Sequence, residues 1–251
     1  MSENKLPKIV SRDEWTAARR ELLTSEKEAV RAKDALNTRR RELPMVELDK
    51  DYRFEGPDGE VSLLDLFDGQ RQLVVQHFMF PPEWEDGCAS CTAAVDELSD
   101  GLLGHLRARS TVYAVVARAG LATLEKYRAK RGWTIPLYSS SGSDFNYDFN
   151  VTIDASKAPV QFNFRGPDEL RAAGFDWMLE TEDQPMEQPG LSCFLRDGDR
   201  IFHTYSTFAR GTEQVGGSYG ILDMTALGRQ ESWELPEGRA DTSRGAVPDF
   251  A

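Results

Sequence analysis

Two of the three cysteines, Cys88 and Cys91, are separated only by Ala89 and Ser90. One helical turn brings such a pair within the roughly 4.4–6.8 Å Cα separation that a disulfide requires. The pair could therefore make and break a bond to sulfur. The run from Gln72 to Phe80 just before it reads as a buried strand. Beyond it, helix-spaced Val95, Leu98, Leu102, Leu103 and Leu106 predict a helix over 91–109. Cys88 then falls at a strand-to-helix turn, where free backbone N–H groups and the positive end of the helix dipole favour thiolate over thiol. A zinc half-site would need partners, and no second C-x-x-C or H-x3-5-H pair exists among Cys193, His77, His105 and His203. Redox chemistry at Cys88 and Cys91 is the expectation, ahead of metal binding or an inert pair. Neither a metal nor a cofactor is called for, since G-x-G-x-x-G and P-loop patterns are also missing.

Composition narrows the setting. A chain of 251 residues with 40% hydrophobic content can bury one sizeable core. Its formal charge of −12 argues against nucleic acid, because phosphate binding draws on clustered Lys and Arg. The run Arg39-Arg40-Arg41 is interleaved with acids and reads as a solvated face. No stretch approaches the roughly 20 apolar residues of a membrane span, and the N-terminus lacks a signal-peptide core. A cytoplasmic protein is expected, and in a reducing compartment a close cysteine pair is more often catalytic than structural.

The elements that would position the pair are legible in part. Ser11 and Glu14 form a capping-box pattern and Pro44 a stop, so residues 12–43 read as one long helix. Trp15, Leu22, Ala29, Leu36 and Leu43 recur every seven residues along it. This stripe suits packing on the domain body or a homo-oligomer formed through the N-terminal helix. We expect residues 1–44 to be a helical extension, 45–235 the main domain with an insertion around 151–185, and 236–251 an irregular tail. Within the main domain, strands at 72–80, 111–117 and 135–138 alternate with helices at 91–109 and 121–131. The fold class is therefore α/β, with a central mixed β-sheet covered by helices on both faces. Asp197-Gly198 predicts a hairpin between 191–195 and 200–205, and a last helix is expected over 219–227.

In this order the pieces resemble the thioredoxin-like superfamily, and within it domain of unknown function 899, a family of predicted dithiol-disulfide oxidoreductases related to peroxiredoxin-like proteins. The likeness is carried by Ser-Arg-Asp-Glu-Trp (11–15), Asp-Lys-Asp-Tyr-Arg-Phe-Glu-Gly-Pro-Asp-Gly (49–59), Gly-Cys-Ala-Ser-Cys (87–91), Gly-Ser-Asp-Phe-Asn-Tyr-Asp-Phe (142–149) and Phe-His-Thr-Tyr-Ser (202–206). It implies that Cys88 attacks, that Cys91 resolves, and that a protein or small-molecule thiol or disulfide is the substrate. It also implies a cis-proline facing the pair at the start of a later strand, and Pro189 fits that place. Ala89 departs from the proline more usual in the family, a change expected to shift redox potential. The segment 78–88 looks like the cysteine loop of peroxiredoxins, but Glu85 stands where they carry a peroxide-binding threonine. An ionised carboxylate there repels a thiolate and donates no hydrogen bond.

Other residues carry weaker signals. Trp84 could offer a substrate contact surface, although an aromatic before a turn is more often a core anchor. Glu83, Glu85 and Asp86 would hinder the Cys88 thiolate unless they point into solvent. Arg118 is expected in a surface ion pair, His77 and His105 in structural roles, His203 on an exposed hairpin, and Cys193 as a small buried hydrophobe. The loop 139–143 with Asp144, Asn146 and Tyr147 has polar groups enough for a substrate rim.

Overall fold

The computed structural model describes residues 6–182, 184–215, 217–226, 231–233 and 235. The expected tail at 236–251 lies outside the described residues, as does residue 227 at the end of the expected last helix.

The chain divides into two units, the first formed by residues 1–44 and 219–245 and the second by 45–218 and 246–251. In the first, α1 (Arg12–Arg41) begins at the capping box: the Glu14 backbone N–H donates to Ser11 Oγ at 3.3 Å and the Ser11 backbone N–H to Glu14 Oε2 at 2.9 Å. Acids in its first turn and arginines in its last complement the helix dipole.

The second unit holds β1 (Val46–Glu47), β2 (Arg53–Gly56), β3 (Gly59–Ser62), β4 (Gln72–His77), α2 (Ala89–Asp96), α3 (Asp100–Arg107), β5 (Thr111–Ala117), α4 (Leu121–Arg131), β6 (Leu137–Ser139), α5 (Phe145–Asp148), β7 (Thr152–Ile153), α6 (Pro167–Ala172), β8 (Met186–Glu187), β9 (Gly190–Asp197) and β10 (Arg200–Phe208). A short helix α7 (Gly217–Leu222) follows. Eight strands form one mixed sheet in the order β1-β10-β9-β4-β5-β6-β2-β3. β4, β5 and β6 run parallel, and β9 pairs antiparallel with β4, Gly190 standing opposite His77.

Side chains alternate across the central strands, so each face of the sheet carries its own core. Val74 and Tyr113 point to one face, joined there by Phe78, Phe80, Cys91, Val95, Leu124, Tyr127 and Leu191. Leu73, Val75, Ala114 and Val116 point to the other, against Tyr52, Phe54, Phe67, Phe145, Phe149 and Phe194. On that second face Phe145 packs edge-on to Tyr52 and Phe54 with ring centroids 5.2 and 5.0 Å apart. The segment expected as an insertion around 151–185 carries a short helix and a two-stranded sheet of its own. The β7-β8 pair and α6 enclose a small core of Ile153, Val160, Leu170 and Met178.

Two elements near the cysteines differ from expectation. The helix predicted over 91–109 is two helices, because Ser99 Oγ accepts from the Leu102 N–H at 3.1 Å and starts α3 afresh. The strand predicted over 72–80 leaves the ladder after His77. The three apolar residues that follow brace the next loop instead, with Met79 O accepting from the Cys88 N–H at 3.0 Å and Phe80 O from the Ala119 N–H at 2.8 Å.

Candidate active site

Cys88 is the N-cap of α2. Its extended backbone (φ −51°, ψ 132°) lets its carbonyl accept the first helical hydrogen bond, from the Thr92 N–H at 2.9 Å. The Thr92 hydroxyl reinforces that carbonyl at 2.9 Å and lies 2.8 Å from Tyr127 Oη, which ties the turn to α4. The loop that delivers Cys88 packs tightly at Gly87, where a Cβ would come within 2.3 Å of Phe78 Cε1. A second tie holds α2 to α4: Asp96 accepts from Arg131 Nη2 at 2.5 Å and from Trp133 Nε1 at 2.8 Å.

Both cysteines are free thiols, Cys88 half-buried and Cys91 buried. The Cys88 thiol is drawn down to about 6, first by the Cys91 thiol that donates to it and then by the N–H groups of Cys91 and Ser90, against an opposing effect of burial. Those two N–H groups act on the sulfur without making a short cap hydrogen bond. Cys91 moves the other way, well above the ordinary thiol range, because it donates to Cys88, is buried, and faces the Cys88 charge. One sulfur is thus ionised at neutrality and the other keeps its proton.

The acids that threatened this arrangement are turned outward. Glu83, Glu85 and Asp86 are exposed, and none figures among the groups that shift Cys88. Asp86 is held by Lys130 Nζ, 2.7 Å from both carboxylate oxygens.

A cavity of about 80 Å³ opens beside Cys91, lined among others by Ser90, Gln76, Tyr113, Pro189, Leu191 and Thr212. Pro189 precedes β9, so Cys91 and Pro189 share one wall-to-wall space. The expected cis bond is not there. Gln188–Pro189 is trans, and among the described residues the cis X-Pro bond is Gln184–Pro185, just before β8. Trp84 does not line this cavity, and at 41% exposure it is a surface residue of the cysteine loop, not a core anchor.

Gln76 and Tyr113 were not anticipated. Tyr113 Oη donates to Gln76 Oε1 at 2.8 Å, and Gln76 Nε2 donates to the Cys91 carbonyl at 3.3 Å, which fixes α2 on the sheet. The available signal was Gln76 directly after Leu73-Val74-Val75, a polar residue in a strand read as buried. Two further expectations are corrected. Arg118 is not in a surface pair: its Nη1 donates to the buried Glu187 at 2.7 Å, and Glu187 also accepts from Thr152 at 2.9 Å and Asn146 at 3.3 Å. His203 is not an exposed hairpin residue. It is half-buried against Phe149 and Phe194, and a hydrogen-bonded chain runs from His203 Nε2 through Ser206 and Ser192 to His77 Nε2 in steps of 2.7, 2.8 and 2.8 Å. His105 is on α3, and Cys193 lies mid-β9 with its thiol pushed up to about 11 by burial. Asn146 and Ser140 belong to the Glu187 network and not to an open rim, since Ser140 Oγ donates to Asn146 Oδ1 at 2.9 Å in the interior. Among the described residues no group of His, Cys, Asp or Glu is placed to hold a metal ion, and no helix is long and apolar enough to cross a membrane.

A C-x-x-C at the start of the helix after β4, a β-α-β unit continuing into β5, and an antiparallel hairpin on the far side of β4 define a thioredoxin-like fold. The chain belongs to the family described as bacterial protein of unknown function (DUF899), whose model matches residues 4–244. Comparison with curated proteins finds no match. Among solved structures, peroxiredoxin Q of Xanthomonas campestris is 11% identical, with a TM-score of 0.47 over 73% of this chain and 98% of that one. The peroxidoxin BcpB of Mycobacterium tuberculosis is 12% identical, with a TM-score of 0.43 over 69% and 92%. A putative protein disulfide isomerase of Bacteroides thetaiotaomicron is 20% identical, with a TM-score of 0.28 over 39% and 60%. These likenesses are loose, and the fold assignment rests on the strand order and helix placement.

Proposed function

We propose that this protein is a dithiol-disulfide oxidoreductase in which Cys88 attacks and Cys91 resolves. The observation that carries the reading is the N-cap position of Cys88 with its thiol drawn to about 6 by the Cys91 thiol beside it. The Cys88 thiolate attacks one sulfur of a substrate disulfide, forming a mixed disulfide and releasing the other sulfur as a thiolate that takes a proton from water. Cys91 then loses its proton and attacks the Cys88 sulfur, releasing the second substrate thiol and leaving a Cys88–Cys91 disulfide. An external dithiol returns the pair to the reduced state.

The two cysteines are coupled in a way that times this sequence. Two of the three influences that hold the Cys91 proton, its hydrogen bond to Cys88 and the Cys88 charge, vanish once Cys88 is in a mixed disulfide. Only burial then opposes ionisation, so Cys91 becomes a nucleophile at the step that needs it. Pro189, beside the cavity at Cys91, and the exposed Trp84 are the proposed contacts for a protein or small-molecule disulfide. The reducing cytoplasm is the setting in which such a free pair would cycle.

Dithiol-driven reduction of a protein disulfide tests the proposal. The wild type should turn over and Cys88→Ser should not. A Cys88→Ser protein with wild-type turnover overturns the assignment. Rapid hydroperoxide consumption in stopped flow, without reduction of any protein disulfide, would assign the same two cysteines to a thiol peroxidase instead.

A further inference from the structure

The helix α1 runs for 30 residues without a buried side chain, and its large apolar residues are a seven-residue series with Leu23 and Val30, 40% and 59% exposed, on its flank. Trp15, Leu22 and Leu36 stand at seven-residue spacing and are 51%, 54% and 45% exposed. Ala29 continues the series. A helix of this length spans about 45 Å, and a seven-residue apolar repeat matches a second helix.

Charge says which second helix. Residues 12–26 carry three arginines against four acids, and residues 27–41 carry six basic residues against two acids. A parallel copy would set the basic halves together, while an antiparallel copy sets each basic half against the other's acidic one.

We propose that α1 pairs antiparallel with α1 of a second copy of this chain, about a two-fold axis at Ser25 and Glu26. Trp15 then faces Leu36 of the other copy, and Leu22 faces Ala29, so a large side chain meets a small one near the centre. Asp13 and Glu14 in the first turn come beside Arg39, Arg40 and Arg41 in the other copy's last turn. Pairing through α1 is independent of the cysteine chemistry.

Sedimentation equilibrium of the full chain tests it. The expected mass is twice 28.2 kDa for the wild type and 28.2 kDa for Leu22→Glu/Leu36→Glu, with unchanged Cys88 alkylation showing that the variant remains folded. A wild-type protein that stays monomeric at tens of micromolar overturns the proposal. So does a dimer that survives the double substitution, or one lost on removing residues 227–251, which would mean that the C-terminal segment and not the α1 stripe holds the copies together. Direction is read by oxidative crosslinking in a Cys88→Ser/Cys91→Ser/Cys193→Ser background. Ser25→Cys should crosslink between copies and Leu36→Cys should not, and crosslinking of both means a parallel pair.

Discussion

Replacing Cys91 by alanine removes the largest influence on the Cys88 thiol while leaving the backbone of α2 in place. A hydrogen bond to a charged group contributes about 1.5–3 kcal/mol, and 1.36 kcal/mol corresponds to one pH unit in a titration. The Cys88 midpoint, about 6 in the intact pair, should therefore climb by about one to two pH units. At pH 7 the thiolate fraction would fall from about 0.9 to between about 0.5 and 0.1, a two- to tenfold loss in alkylation rate. Cys91→Ser keeps a hydroxyl donor and should hold the midpoint within about half a pH unit of the wild type. The assay is iodoacetamide labelling of the Cys88 peptide across pH 4.5 to 9.5, read by mass spectrometry. An alanine variant that titrates like the wild type would refute the role given to the Cys91 thiol and leave the helix N-terminus as the sole cause.

Three further outcomes are expected. Arg118→Met should lower stability to urea by about 3–5 kcal/mol, because it leaves the Glu187 carboxylate buried without its cation, and Arg118→Met/Glu187→Leu should recover most of that. A double variant no better than the single one contradicts the pairing. His77 is fully enclosed and its imidazole is pushed down to about 3, by burial first and by His203 second. The unfolded chain then binds a proton below about 6.5 that the native state refuses, so stability falls as pH drops from 6.5 toward 3. The loss should reach roughly 2 kcal/mol by pH 5, and His77→Gln should flatten the slope measured by urea titration at each pH. Gly87→Ala should cost about 1–3 kcal/mol through its clash with Phe78 and slow Cys88 labelling, whereas Gly142→Ala, with open space at its Cβ, should do neither.

The parts of this fold that were legible in the sequence are those whose signal is local. The α1 start is written in Ser11 and Glu14, and the parallel strands in short β-rich apolar runs such as Leu73-Val74-Val75 and Val115-Val116. The β9-β10 hairpin is written in Gly198, which takes φ 61° in its two-residue loop. Cys88 and Cys91 were legible because three residues of spacing already fix their proximity. What escaped depends on contacts distant in the chain. Arg118 meets Glu187 across 69 residues and His203 joins His77 through two serines, so neither sequence neighbourhood announces its partner. The α2-α3 break was legible in Ser99-Asp100, but the apolar spacing on either side masked it. The cis bond fell four residues before its expected place, and no residue near Pro185 or Pro189 distinguishes the two by type.

The roles of the two sulfurs are tested most directly by trapping. Cys91→Ala, given a protein disulfide substrate without reductant, should accumulate a mixed disulfide whose mass and fragmentation place the substrate on Cys88. An adduct on Cys193, or no adduct while the wild type still turns over, would contradict the account.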